Sequence, residues 1–142
     1  MSNLTLSKGT PFLMFTGSAE EALTLYRDLF DAEFEVAQRY GPEGTGAEGS
    51  IMHARIRIGD QVLIAFDSPP VHAFDFTPSL SLFVSCDTEQ EIDRLFTGLS
   101  EGGFVMMPLS TEYGCAAKYA WLSDRFGVSW QLSLALDVGA SA

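Results

Sequence analysis

Apolar and polar positions alternate with period two along most of the chain, and in two places the period lengthens to that of a helix. Leu23, Tyr26, Leu29 and Phe30 follow Ser18-Ala19-Glu20-Glu21, in which the serine hydroxyl can accept an early helical N–H and the glutamate three positions on can reach back. This pattern predicts a helix over about Ser18 to Asp31. Asp87-Thr88-Glu89-Gln90 offers the same cap-and-return chemistry, followed by Ile92, Leu95, Phe96 and Leu99 and then by Gly102-Gly103, where a helix would stop. Leu23, Tyr26 and Phe30 correspond to Ile92, Leu95 and Leu99, so cap and stripe together point to an internal repeat.

An apolar segment opened by proline precedes each helix, Pro11 to Thr16 and Pro78 to Ser85. Three strand-like runs follow each: Glu33 to Tyr40, Ile51 to Ile58 and Gln61 to Asp67, then Phe104 to Leu109, Ala117 to Ser123 and Val128 to Leu136. Gly59-Asp60 reads as a tight hairpin, with Asp124 to Gly127 as its counterpart in the second half. Each half is therefore βαβββ, and the chain reads as one α+β domain of two modules, at about 10–69 and 76–136; where their mixed sheet curls, one face becomes a concave cavity.

Strand alternation assigns the faces. Met52, Ala54, Ile56 and Ile58 are expected under the first helix, with Val62, Ile64 and Phe66 beside them, leaving His53, Arg55, Arg57, Leu63 and Ala65 opposite. In the second half Leu80, Leu82, Val84, Trp130, Leu132 and Leu134 are expected under the helix, and Ser79, Ser81, Phe83, Ser129, Gln131 and Ser133 on the other face. A concave face polar at intervals is where ligands usually bind.

Composition narrows the partners. The 142 residues carry 8 basic and 19 acidic side chains, a net charge of -11, with no run of Lys or Arg, so neither nucleic acid nor a membrane surface is an expected partner. The N-terminal stretch lacks a basic flank and a long apolar run, and no apolar run reaches the roughly 18 residues of a membrane span, which predicts a cytoplasmic protein. Cys86 and Cys115 stand far apart outside any CxxC spacing and read as reduced thiols.

Three stretches, TPFLMFTGSAEEALTLYRDLF (Thr10 to Phe30), IMHARIRIGDQVLIAFDSP (Ile51 to Pro69) and KYAWLSDRFGVSWQLSL (Lys118 to Leu134), resemble the vicinal oxygen chelate superfamily of glyoxalase I, bleomycin-resistance proteins and extradiol dioxygenases. They are most similar to its PhnB-like branch, whose usual label is a 3-demethylubiquinone methyltransferase domain. No strand here is followed by a glycine-rich turn into a helix, so the methyltransferase label is not carried over. The resemblance implies a homodimer. It also implies that metal ligands, where the superfamily has them, fall on the inward face of the first and last strands of each module, which here gives Thr10 or Phe12, Leu63, Ser79 and Gln131. Of these only Gln131 has a ligand's chemistry, and His53 is the one residue that would join it. No cofactor is expected, with a divalent metal as the alternative.

The candidate ligand-binding residues are therefore His53, Arg55, Gln131, Ser79, Ser129, Phe12, Met14, Tyr119 and Trp121. His53 is either a general base or donor at neutral pH, or an imidazole satisfied within the fold. Arg55 and Arg57 either grip an anionic ligand or balance Glu33 and Glu35. Tyr119 and Trp121 share a strand face and either stack on a ring or pack in the core; Phe12, Met14 and Phe83 either line a cavity or fill it. His72, in the connecting stretch, reads as solvated. The expected function is small-molecule binding without a catalytic metal, the alternative a metal-dependent isomerase, lyase or dioxygenase, and a structural or regulatory dimer with a filled core the third reading.

Overall fold

A computed structural model describes residues 4–136, so the outermost ends of the expected domain lie outside the described residues. The elements run β1 (Phe12–Phe15), α1 (Ala19–Phe30), β2 (Glu33–Arg39), β3 (Ile51–Ile58), β4 (Gln61–Asp67), β5 (Ser81–Cys86), α2 (Glu89–Ser100), β6 (Phe104–Ser110), β7 (Lys118–Ser123) and β8 (Ser129–Leu134). This is the α+β order βαβββ, twice. The strands form two four-stranded sheets, β1-β4-β3-β2 and β5-β8-β7-β6, rather than one, and neither closes into a barrel. The chain divides into two compact units, Met1–Phe74 and Asp75–Ala142, each holding one sheet and one helix.

In the first unit β1 runs parallel to β4 at one edge, and β4, β3 and β2 are antiparallel neighbours. Gly59 and Asp60 close the β3–β4 hairpin, with Ile58 opposite Gln61. Gly59 has φ 59° while Asp60 stays at negative φ, the sign pattern of a type II′ turn, which only glycine accepts freely at its first position. Ala22, Leu23 and Tyr26 of α1 are fully buried, together with Ala54 and Ile56 of β3. Phe30, by contrast, is only half-buried at the end of the helix.

The faces of β4 are the reverse of those expected. Ala54 pairs with Ala65 and Ile56 with Leu63, and directly opposed residues share a face, so Leu63 and Ala65 lie under the helix. Val62, Ile64 and Phe66 are on the other side with Arg57 and Arg55. The run VLIAF is apolar at every position, so its alternation carries no information and only the hairpin register decides.

Helix α1 is capped differently from the expectation. Ser18 occupies the N-cap but makes no side-chain capping bond. The buried Asp67 carboxylate does the work from the end of β4: its Oδ1 accepts from the N–H of Gly17 (2.8 Å) and Ala19 (2.9 Å), and its Oδ2 from Ile51 N–H (3.0 Å). Negative charge at a helix N-terminus is favourable in itself, and here it also ties the start of α1 to the start of β3. In α2 the capping box is present one residue later than expected: Thr88 Oγ1 accepts from Glu91 N–H (3.1 Å) and Glu91 returns to Asp87 N–H (2.7 Å).

In the second unit β5 runs parallel to β8, and β8, β7 and β6 are antiparallel. Ile92, Leu95 and Leu99 of α2 are buried with Ala120, Leu122, Trp130 and Leu132, as the alternation predicts. Leu80, expected among them, precedes β5 and is 78% exposed. The chain leaves α2 through Gly103, where a Cβ would run into the Ser123 carbonyl oxygen and the Asp124 backbone, so the helix exit lies directly on the β7–β8 turn. Asp124, buried in that turn, accepts from Phe126 N–H (2.9 Å) and Val128 N–H (3.1 Å) and from the indole of Trp130 (2.8 Å).

Asp67→Ala leaves three backbone donors without their acceptor and is expected to cost about 2–4 kcal/mol in urea unfolding, against about 0.5 kcal/mol or less for Ser18→Ala. A larger loss for Ser18→Ala than for Asp67→Ala would show that Ser18, not Asp67, caps α1.

Candidate functional site

The side of the second sheet facing away from α2 can be read off the strand registers. Phe83, Gln131, Trp121 and Met107 stand in line across β5, β8, β7 and β6. Ser81, Ser129, Ser123 and Phe104 form the line on one side, and Ser85, Ser133, Tyr119 and Ser110 the line on the other. None of these side chains is charged. The central line is aromatic and apolar around Gln131; the flanking lines are mostly hydroxyl.

Five of them are joined by hydrogen bonds. Tyr119 donates its hydroxyl to Gln131 Oε1 (2.6 Å), Gln131 Nε2 donates to Ser81 Oγ (3.3 Å), Ser81 and Ser129 share a bond (2.7 Å), and the Trp121 indole donates to Ser129 Oγ (2.9 Å). Gln131 thus faces the open side, with its carbonyl oxygen already engaged. Whichever serine donates to the other, these bonds leave one serine hydroxyl hydrogen and one Gln131 amide hydrogen unused. Burial pushes the Tyr119 hydroxyl above the ordinary tyrosine range, with Cys115 and Tyr113 adding to it, so it donates as a neutral phenol. The Tyr113 ring meets Tyr119 edge-on at 5.7 Å.

Tyr119, Trp121, Gln131 and Ser129 are therefore brought together, and Ser81, which alternation places on this face but which is absent from the expected ligand contacts, links them. Ser79 is not among them. It precedes β5, is exposed and bonds to Thr77 (2.6 Å). The parallel β5–β8 register, a long-range feature, puts Ser81 opposite Ser129 instead.

His53, Arg55, Phe12 and Met14 belong to the first unit. Phe12 is 58% exposed and packs edge-on against Phe66 at 4.9 Å, in line with Ile64, while Met14 pairs with Phe66. Arg55 donates to His53 Nε2 (3.3 Å) and to the Leu4 carbonyl (2.9 Å), and Arg57 is bound to Glu33 (2.7 Å), so both arginines are held within the fold. A shallow groove of about 480 Å³ lies at the end of this sheet, lined by Phe30, Asp31, Ala32, Glu33, Arg57 and Gly59.

The positions at which the fold family would hold a metal do not fit one. Phe12 has no donor, the Thr10 hydroxyl donates to the Ser7 carbonyl (2.9 Å), Leu63 turns under the helix and leaves Ile64 in its place, and Ser79 lies outside the strand, so the Gln131 carbonyl, which keeps one lone pair beside its bond from Tyr119, would be left without companion ligands. Among the described residues no group of three or more His, Cys, Asp or Glu side chains is placed to hold a metal ion. The two thiols are free; Cys115 is exposed, and Cys86 is buried, with burial first and the charge of Glu91 second pushing its pKa up to about 11.

Paired βαβββ units of this kind define the vicinal oxygen chelate fold, and comparison with known proteins carries the assignment further. Residues 7–133 match the family described as 3-demethylubiquinone-9 3-methyltransferase, and the chain belongs to this PhnB-like family. A PhnB protein from Bacillus cereus carrying the same description is 46% identical, covers 91% of this chain and 100% of its own, and superposes with a TM-score of 0.86. Protein PA1353 from Pseudomonas aeruginosa is 32% identical over 92% of this chain and 99% of its own, with a TM-score of 0.80. Protein YjdN of Escherichia coli is 22% identical over 88% of this chain and 93% of its own. FosX from Listeria monocytogenes, a fosfomycin resistance protein complexed with Mn(II) and a dihydroxypropylphosphonic acid, shares the fold alone, at 10% identity over 92% of this chain and 93% of its own and a TM-score of 0.60.

Thiol labelling of the native protein between pH 7 and 8 is expected to modify Cys115 and spare Cys86. Because the folded state holds the Cys86 proton more tightly than the unfolded state, that contribution to stability is present below the ordinary thiol pKa of 9.0 and is lost as pH rises towards about 11. Equal labelling of both thiols at pH 7 would contradict the burial of Cys86.

Proposed function

We propose that this PhnB-like chain binds a small, mostly apolar molecule with one polar end on the open face of its second sheet, without a catalytic metal. The observation that carries the reading is the hydrogen-bonded line Tyr119, Gln131, Ser81, Ser129 and Trp121 on an uncharged face beside Phe83. Its groups can orient a ligand, but they include no carboxylate, imidazole or amine to take a proton from a serine, and Tyr119 is held as a phenol. His53 and Arg55, bonded to each other in the first unit, are not part of this group.

The same reading takes the chain as a homodimer in the cytoplasm. Support comes from large apolar side chains left exposed on strands, Phe12, Phe83 and Phe104 at 58%, 61% and 68%, and from the two free thiols. No helix among the described residues is long and apolar enough to cross a membrane.

Native mass spectrometry with elemental analysis of protein purified without chelator tests the proposal. The expected result is a metal-free dimer retaining an organic mass that Gln131→Leu releases. A stoichiometric divalent metal lost on Gln131→Ala would replace this reading with metal-dependent isomerase, lyase or dioxygenase chemistry, and a monomer would remove the dimer.

A further inference from the structure

The open face of the second sheet also restricts the chemistry of what it holds. Gln131 stands between Phe83 on β5 and Trp121 on β7 at directly opposed positions. Neighbouring strands lie about 4.8 Å apart, so the two aromatic positions are separated by about 10 Å, the width over which one ring can lie on the Gln131 amide with an aromatic at each side. Trp121 is fixed by its bond to Ser129, a residue only 2% exposed, so this wall is set before a ligand arrives.

The hydrogens left over by the network set the polarity. One Gln131 amide hydrogen and one serine hydroxyl hydrogen lack a partner in the group, and a ligand covering them must supply a hydrogen-bond acceptor, such as a carbonyl oxygen, because a donor buried without a partner is costly. Charge narrows the choice. None of the side chains in the three lines is cationic, and the whole chain carries a net charge of -11. A carboxylate or phosphonate covered here would lose its water without gaining a counter-ion and would sit in an unfavourable field. A neutral carbonyl incurs neither cost.

We propose that this face selects a planar, uncharged ring compound through a carbonyl oxygen, of the aryl ketone or lactam type, with that oxygen accepting from Gln131 Nε2 and the serine pair. The proposal rests on the binding reading above and names its ligand class. It also gives Ser81, on β5, a specificity role: it orients the Gln131 amide so that a donor hydrogen rather than the carbonyl is offered to the ligand.

Titration of the ¹⁵N-labelled full chain with acetophenone, benzoate and cyclohexyl methyl ketone, followed by NMR at the two tryptophan indoles, tests it. Trp130, bonded to Asp124 and fully buried, serves as the internal reference for Trp121. Acetophenone is expected to shift the Trp121 indole and the Gln131 side-chain amide saturably while leaving Trp130 in place. Benzoate and cyclohexyl methyl ketone should bind about tenfold or more weakly, and Gln131→Leu and Ser81→Ala should each weaken acetophenone by about tenfold. The second variant keeps the test open should the first fail to fold. Benzoate binding as well as acetophenone, or acetophenone unaffected by both substitutions, would overturn the ligand class and leave the face as a binding site. No saturable Trp121 shift with any of the three up to about 10 mM would overturn this proposal; a retained mass in native spectrometry would then show that the face holds another chemistry.

Discussion

The register of β8 is the constraint on which the second unit depends. A slip of one residue would carry Gln131, Ser129 and Ser133 under α2 and turn Trp130 and Leu132 to the open side, because side chains alternate with a period of two. Two things hold the register. One is the burial of Trp130 and Leu132, both fully inaccessible, against Ile92, Leu95 and Leu99. The other is Asp124, which accepts two backbone N–H bonds within the β7–β8 turn and a third from the Trp130 indole. The turn is thereby locked to the strand that follows it, and the polar line is placed on the open face as a consequence.

The first unit uses a buried carboxylate in a related way. Asp67, at the end of β4, accepts three backbone N–H bonds and joins the start of α1 to the start of β3. Among the described residues each unit therefore has one buried aspartate that accepts from three N–H groups, and a buried charge is tolerable on those terms. Their positions differ: Asp67 fixes where a helix begins, Asp124 where a hairpin turns. Ion pairs on the surface, such as Arg39 with Glu20 and Lys118 with Asp93, tie strands to helices but stand in solvent and contribute less.

The sequence was most legible where local pattern and burial agree. Both helices, the repeat and the two faces of β8 follow from spacing, because WQLSL alternates cleanly between apolar and polar. VLIAF in β4 does not, and the pairing of Ile56 with Leu63 alone decides its faces, the reverse of those the alternation suggests. Ser18 offered a good local cap, yet Asp67, 48 residues away from Ala19, supplies the bond. Ser79 and Ser81 cannot be distinguished by alternation alone, since both fall on the same side; where β5 begins and which residue faces Ser129 depend on a parallel pairing across the module. The direction of the Gln131 amide was likewise out of reach, because it is set by Tyr119 and Ser81 from two other strands.

The family assignment fixes the fold and leaves the activity to the side chains. Each sheet has a single parallel pair at one edge and is otherwise antiparallel, unlike the doubly wound parallel sheet that binds nucleotide-type cofactors. What the second unit does present is a pre-ordered, uncharged hydrogen-bonding line with aromatic walls. The most direct measurement of that claim is the set of nuclear Overhauser contacts from the Gln131 side-chain amide in the unliganded protein. The account predicts contacts to Ser81, Phe83 and Trp121; contacts to Leu95 and Leu99 of α2 in their place would contradict it.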